Sequence, residues 1–238
     1  MKTKAIIFDK DGTLLDFDDF WLPISEGAIT EILKKIKRED ISVKNILSAM
    51  GADGGVTDIT SALCCGTYEQ MGLDMYHALV NEGCNLSADE VIKLTIDAYH
   101  GNIQKGIMRP ACEHIQEVLQ TLKDYGLTLA VVTTDDPFMA QKCLQMLEIS
   151  SFFDTVYADD GVTPTKPNAY CINDICRRKG ISKTEVIMVG DTLTDTRFAK
   201  NGGIRVIGVA KSDRNKRILE READVVIPDI SHLLDVLE

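Results

Sequence analysis

The chain has 238 residues, which is enough for one large α/β domain or for a core domain that carries a smaller inserted one. Hydrophobic residues make up 45% of the chain and charged residues 26%, values that exclude disordered, collagen-like and low-complexity proteins. The formal net charge of −11 disfavours binding to nucleic acid, because an acidic surface repels its phosphates.

The chain has seven cysteines, an odd number, and their spacing contains no C-x-x-C pair. We therefore expect buried or partly buried thiols outside any disulfide framework, as is typical of a reducing compartment. The first apolar run, Ala5–Phe8, is too short for a signal peptide or a membrane span. These features predict a cytoplasmic protein with no nucleic-acid and no membrane partner, and they leave a monomer and a homodimer equally open.

The first predicted element is a strand at Ala5–Phe8, since a short continuous apolar run is typical of a strand buried on both faces. From about residue 17 to residue 105, apolar residues recur every three or four positions and predict helices throughout, with a break at residues 51–55. Beyond Pro110, short apolar segments alternate with helical periods. The segments predicted to be strands there are residues 127–132, 155–158, 186–189, 205–209 and 224–227.

This alternation predicts βαβ units and a parallel sheet with helices on both faces. Because the first strand precedes the helical block and the other strands follow it, we interpret the block as an insertion into one α/β domain. The predicted fold is a Rossmann-like, three-layer parallel-sheet core of residues 1–16 plus 106–238, with an α-helical cap domain of residues 17–105 inserted in it.

Polar residues follow the predicted strands at their carboxyl ends, which is where open parallel sheets bind ligands. Asp9 and Asp11 follow the first strand, and Thr133 and Thr134 follow the first strand after the helical block. The candidates farther along the chain are Lys166, Asp191 and Asp195. We expect these carboxylates, a hydroxyl and a lysine to converge on one edge of the sheet.

Crowded carboxylates repel one another, and a hard divalent cation resolves that repulsion. Mg²⁺ suits an all-oxygen site with few protein ligands and several waters. A lysine and a hydroxyl nearby would neutralise and orient a bound phosphate. The pattern therefore indicates phosphoryl transfer to a carboxylate.

Four motifs in this order resemble those of the haloacid dehalogenase superfamily of hydrolases. Residues 8–16 match its D-x-D-G-T pattern, and Thr133 at the end of an apolar strand matches its second motif. Residues 166–167 match the third motif and residues 190–195 the fourth, so that the resemblance covers nearly the whole chain. Residues 134–135 depart mildly from the polar pair that often follows the second-motif Thr.

The resemblance implies a role for each matched residue. Asp9 would attack phosphorus and form an aspartyl-phosphate, and Asp11 would protonate the leaving oxygen and then deprotonate the attacking water. Thr133 would bind the phosphoryl oxygens, while Lys166 would offset the charge on nucleophile and phosphate. Thr134, outside the matched motif, is a further candidate for substrate binding. The implied ligands of Mg²⁺ are Asp9, Asp11 through its backbone carbonyl, Asp191 and Asp195.

The resemblance also indicates which of the superfamily's reactions to expect. Superfamily members that transfer phosphate to water keep an acid two residues after the nucleophile, as Asp11 is here, whereas dehalogenases and P-type ATPases do not. The helical block looks like the cap of phosphoglycolate phosphatases, β-phosphoglucomutase and small sugar or nucleotide phosphatases, which chooses the leaving group. We therefore expect a Mg²⁺-dependent phosphatase that acts on a small phosphorylated metabolite of the phosphoglycolate, sugar-phosphate or nucleotide type.

Two alternatives stay open at this point. A phosphomutase of the β-phosphoglucomutase type would return the phosphoryl group to a sugar, and a non-catalytic protein on the same scaffold would only bind a phospho-ligand. A dinucleotide-binding oxidoreductase also fits the sheet pattern, but no G-x-G-x-x-G follows the first strand.

Overall fold

The structure, a computed structural model, describes residues 2–237. The chain divides into two compact units. One unit contains the residues up to Phe17 together with those from Met108 onward, and the other is Asp18–Ile107. The two units are described separately below as the sheet unit and the helical unit.

The strands are, in chain order, β1 (Ala5–Phe8), β2 (Ala52–Asp53), β3 (Val56–Thr57), β4 (Thr128–Val132), β5 (Thr155–Tyr157), β6 (Val186–Gly190), β7 (Arg205–Val209) and β8 (Val225–Ile227). The helices are α1 (Phe17–Lys35), α2 (Val43–Ala49), α3 (Ala62–Cys65), α4 (Tyr68–Asn81), α5 (Ala88–Asn102), α6 (Ile115–Asp124), α7 (Pro137–Met146), α8 (Tyr170–Lys179), α9 (Leu193–Gly202), α10 (Asp213–Leu219) and α11 (Leu233–Val236). Single 3₁₀ turns lie at Ile103–Lys105, Ser150–Phe152, Lys183–Glu185 and Ile230–His232.

The sheet unit is built on six strands in the order β5-β4-β1-β6-β7-β8, and each neighbouring pair is parallel. In this register Phe8 pairs with Val131 of β4 and with Val189 of β6. The residues that follow β1, β4 and β6 are therefore neighbours at the carboxyl edge of the sheet. The Rossmann-like α/β fold is confirmed, and the core strands lie within one residue of their predicted ends.

Burial explains why the central strands are so apolar. All four residues of β1 are buried, as the continuous run Ala5–Phe8 predicts for a strand covered on both faces. One face of the sheet packs against α8 and α9, where Ile172 and Phe198 are buried. At Gly202 of α9 an added Cβ would lie 2.2 Å from the Cδ1 of Ile172, so these two helices approach too closely for a larger residue.

The helical unit contains α2–α5 and α1 from Asp18 onward. Buried residues of α4 and α5 recur at helical spacing, including Met71, Met75 and Leu79 on α4 and Val91 on α5. Thr67 begins α4 with a capping box, in which its hydroxyl accepts from the backbone N–H of Gln70 and the Gln70 side chain accepts from the Thr67 N–H. The unit is thus held by apolar faces and by capped helix ends.

The expectation that residues 17–105 are helical throughout is wrong at one place. β2 and β3 form a two-stranded antiparallel hairpin around the break at residues 51–55. Gly54 and Gly55 form its turn with φ values of +59° and +82°. Positive φ at both central turn residues matches the twist of a two-residue hairpin, and glycine adopts it without steric cost.

The cysteines follow the expectation with one exception. None of the seven, all of which lie within residues 2–237, forms a disulfide, and six are buried or partly buried. Cys65 is exposed, because α3 has only four residues and buries only Leu63. Among the residues that the structure describes, no helix is both long enough and apolar enough to cross a membrane.

The packing of α4 on α5 gives a prediction for two helical glycines. At Gly72 an added Cβ would lie 2.7 Å from the Cα of Ile92, so we expect Gly72→Ala to destabilise the protein by about 1–3 kcal/mol through overpacking. At Gly101 of α5 the nearest atom would be 3.7 Å away, so Gly101→Ala should keep stability or add up to about 1 kcal/mol. Urea unfolding of both variants measures the difference, and equal stabilities would contradict the close approach.

Candidate active site

The predicted aspartates and lysine meet at the carboxyl edge of the sheet unit. Asp9 follows β1, Asp191 follows β6, and Asp195 lies in the first turn of α9. One carboxylate oxygen of each lies within 4.8 Å of the others, and all three residues are buried. Lys166, from the segment after β5, places its Nζ 2.7 Å from Oδ1 of Asp9 and 2.7 Å from Oδ1 of Asp195.

The charges of this group are unbalanced, because three buried carboxylates lie close together and a single ammonium group, that of Lys166, contacts two of them. Burial, reinforced by the charge of Asp195, raises the pKa of Asp9 to about 7 even though Lys166 opposes the shift. Burial and the charge of Asp9 likewise raise the pKa of Asp191 well above its usual value. For Lys166 the neighbouring carboxylates outweigh the opposite effect of burial and raise the pKa.

The donor set fits a hard divalent cation. The oxygens are carboxylate oxygens, the type that Mg²⁺ prefers, and their uncompensated negative charge is what such a cation would neutralise. Burial first, and then the neighbouring carboxylates, raise the pKa values of Asp9 and Asp191, and a bound cation would oppose both effects. Asp9 and Asp191 are therefore the side chains best suited to hold the ion.

Asp195 is held on both oxygens. Its Oδ1 accepts from Lys166, and its Oδ2 accepts from the backbone N–H of Thr192 at 3.0 Å and from the Thr192 hydroxyl at 2.7 Å. The backbone N–H of Asp195 donates in turn to the Thr192 hydroxyl, which completes a capping box at the start of α9. Asp195 thus anchors Lys166 to a helix end besides adding negative charge to the site.

A glycine allows the turn after β1 to approach the carboxylate of Asp191 closely. Gly12 has a φ of +73°, and an added Cβ would lie 2.0 Å from Oδ2 of Asp191. The next residue, Thr13, is buried and donates its hydroxyl to Oδ1 of Asp191 at 3.2 Å. The turn after β1 therefore positions a partner from β6 as well as its own aspartates.

The two threonines after β4 lie in different environments. Thr133 is buried, donates its backbone N–H to the carbonyl of Tyr157, and accepts from the N–H of Asp135 at 3.2 Å. Thr134 is exposed. Both follow β4, which pairs directly with β1, so they lie at the edge where Asp9 lies.

Sequence reasoning gave no role to Lys10, yet its side chain is completely buried beside Asp11. Its Nζ lies 2.6 Å from Oδ1 of Asp11 and 3.1 Å from Oδ2 of Asp135. Burial alone would lower the pKa of Lys10, but the charges of Asp11 and Asp135 outweigh it and raise that pKa. The sequence marked Asp135 only as part of the departure at residues 134–135, and nothing in it connected that residue with Lys10.

Comparison with known proteins gives the family. Residues 3–203 match the model of the haloacid dehalogenase-like hydrolases, and the chain belongs to that family. The expectation of a hydrolase of this superfamily is therefore confirmed. The motif residues described above all fall within the matched range.

Individual relatives are more distant. The chain is 23% identical to a phosphoglycolate phosphatase of Pseudomonas putida, over 97% of this chain and 78% of that protein. It is 27% identical to the pyrophosphatase PpaX of Bacillus velezensis, over 99% of this chain and 96% of that protein.

Solved structures share the fold. A predicted phosphoglycolate phosphatase from Haemophilus somnus superposes with a TM-score of 0.73 at 20% identity, covering 100% of this chain and 99% of that chain. A haloacid dehalogenase-superfamily hydrolase from Geobacter sulfurreducens superposes with a TM-score of 0.67 at 19% identity, covering 100% and 97%.

The charge imbalance predicts how Mg²⁺ binding depends on pH. Protons compete with the ion for Asp9, whose pKa is raised to about 7, so the affinity should rise as the pH rises through that value. Between about pH 6 and about pH 8 we expect a gain of roughly tenfold in the association constant, measured by titration calorimetry.

Two variants check this prediction. Asp191→Asn should abolish the Mg²⁺ heat signal, whereas Asp160→Asn, which changes an exposed aspartate after β5, should retain it. Equal affinity at both pH values, or Mg²⁺ binding that survives in Asp191→Asn, would contradict the assignment of the ion to these carboxylates.

Proposed function

We propose that this hydrolase is a Mg²⁺-dependent phosphatase that cleaves a small phosphate ester through an aspartyl-phosphate on Asp9. The observation that carries the proposal is the pairing of a buried, lysine-bound carboxylate with a second carboxylate two residues on. Asp9 is buried against Lys166, while the side chain of Asp11 keeps 18% of its surface exposed. Asp9 is therefore suited to covalent attack, and Asp11 is suited to exchanging protons with substrate and water.

The carboxylate of Asp9 is oriented for attack. Its Oδ1 accepts from Lys166 Nζ at 2.7 Å and from the backbone N–H of Lys10 at 2.7 Å. Two donors on one oxygen fix the rotation of the group. In the first step an oxygen of Asp9 forms a bond to phosphorus, the bond from phosphorus to the leaving oxygen breaks, and Asp11 gives that oxygen a proton.

The second step returns the enzyme to its starting state. Asp11, now a carboxylate, takes a proton from a water molecule as the water oxygen bonds to phosphorus. The bond between phosphorus and Asp9 breaks, inorganic phosphate leaves, and both aspartates regain their initial protonation states. The same group acts as acid and then as base, so each turnover converts one ester and one water into an alcohol and inorganic phosphate and leaves the enzyme unchanged.

Phosphate binding falls to cationic and hydroxyl groups at the same edge. Lys166, buried between Asp9 and Asp195, would offset the charge that accumulates on nucleophile and phosphoryl group. Thr133 and Thr134 would donate hydrogen bonds to phosphoryl oxygens. Asp9, Asp191 and the backbone carbonyl of Asp11 would hold Mg²⁺, with Asp195 in support. When bound, the ion would neutralise the carboxylates and draw the anionic phosphate to Asp9.

We assign the choice of substrate to the helical unit, in keeping with the resemblance of this block to the caps of small-molecule phosphatases. The substrate class we propose is a small phosphorylated metabolite. Relatives named phosphoglycolate phosphatase and pyrophosphatase support phosphoglycolate and pyrophosphate as the first compounds to test.

The test is phosphate release from a panel that contains phosphoglycolate, pyrophosphate, sugar phosphates and nucleotides, with Mg²⁺ or with EDTA. We expect release from at least one compound that stops with EDTA. Asp9→Asn should reduce kcat by about 10³-fold or more, because it removes the attacking carboxylate. Asp124→Asn, which changes an exposed aspartate on α6, is the matched control and should keep full activity.

Two results would contradict the proposal. Undiminished release by Asp9→Asn would show that another group attacks phosphorus. Isomerisation of a sugar 1-phosphate without release of inorganic phosphate would instead identify a phosphomutase.

A further inference from the structure

Lys10 lies between the two aspartates of the first motif and has no part in the steps above. Its side chain is 0% exposed, and an ammonium group buried in this way persists only with charged or polar partners around it. The partners are Asp11 at 2.6 Å, Asp135 at 3.1 Å and the thiol of Cys143 at 3.8 Å. Of these, only Asp11 acts on the substrate in the proposed mechanism.

Asp135 gives the ammonium group a fixed anchor. The backbone N–H of Asp135 donates to the Thr133 hydroxyl, and its carbonyl accepts from the N–H of Asp159 at 2.7 Å. Asp135 is therefore tied both to the end of β4 and to the segment after β5. Its carboxylate lies 3.1 Å from the Nζ that also donates to Asp11. It positions that Nζ only if the backbone of Lys10 is fixed as well.

The backbone of Lys10 supplies that second constraint. Its carbonyl accepts from the N–H groups of Leu14 and Leu15, each at 2.9 Å, and its own N–H donates to Asp9. Leu14 and Leu15 are completely buried. The backbone and the ammonium group of Lys10 are thus both held, and the hydrogen bond to Asp11 Oδ1 runs from an anchored, buried donor.

We propose that Lys10 is a positioning residue, whose buried ammonium group, anchored by Asp135, holds the Asp11 carboxylate where it exchanges a proton with the leaving oxygen. The inference rests on the proposed function, because it presumes that Asp11 is the acid of the first step. Proton transfer of this kind requires hydrogen-bond distance and alignment, which a carboxylate on a turn does not keep without a partner.

The proposal predicts an effect that depends on the leaving group. An alkyl alkoxide is a poor leaving group and departs with a proton, whereas p-nitrophenolate departs without one. Loss of the positioned acid should therefore lower kcat/KM for alkyl phosphates and spare it for p-nitrophenyl phosphate, because kcat/KM reports the steps up to loss of the leaving group and not the later attack by water. A general disturbance of the site would slow both substrates to the same degree.

The experiment compares kcat/KM of wild type, Lys10→Met and Asp11→Asn for two substrates. These are the best alkyl phosphate from the panel and p-nitrophenyl phosphate. For Lys10→Met we expect a loss of about tenfold or more on the alkyl ester and of less than about threefold on the aryl ester. Asp11→Asn should show the same selectivity with a larger loss. Lys200→Met, which removes an exposed ion pair with Glu222, should match wild type on both.

A second variant covers the case in which Lys10→Met does not fold, since that change leaves the partly buried carboxylate of Asp135 without its cation. The double variant Lys10→Met/Asp135→Asn has no such charge, and thermal unfolding shows which variant to measure. Selectivity for the alkyl ester in either variant supports the proposal. Equal losses on both esters, or no loss, overturn it while leaving the proposed function intact. Wild type inactive on both esters, or full activity in Asp9→Asn, overturns the proposed function and this inference together.

Discussion

The structure of the site depends on the burial of more negative charge than its lysine balances. The pairing of β1 with β6 brings Asp9 next to the segment that carries Asp191, since the N–H of Asp9 donates to the carbonyl of Val189. Lys166 then bridges Asp9 and Asp195. Burial and the remaining charge imbalance together raise the pKa values of Asp9 and Asp191. The imbalance also makes the site suited to a cation and to an anionic phosphate held by that cation.

The two buried lysines divide the work of the site. Lys166 contacts Asp9, the proposed nucleophile, and Lys10 contacts Asp11, the proposed proton donor to the leaving oxygen. Both are fixed by aspartates that lie outside the first motif, Asp195 at the start of α9 and Asp135 after β4. Asp9 and Asp11 are therefore each held by a buried lysine that is itself anchored elsewhere in the fold.

The sequence was sufficient to place Asp9, Asp11, Asp191 and Lys166 at one edge, because each follows a strand and parallel strands end on the same side of a sheet. The contact between Lys10 and Asp135 was not predictable in this way. It joins residues 125 positions apart, by side chains whose directions depend on packing at the ends of β1 and β4. The hairpin of β2 and β3 was missed for a related reason, since strands of two residues are too short to show an alternating pattern.

The covalent role of Asp9 is the claim on which the mechanism rests, and rapid quenching with a ³²P-labelled substrate tests it most directly. After mixing with Mg²⁺ and an acid quench within the first turnover, we predict ³²P bound to the chain. The label should be released by hydroxylamine, map to the peptide that contains Asp9, and be absent from Asp9→Asn. Phosphate release by wild type without any chain-bound label, or label that persists in Asp9→Asn, would contradict the account.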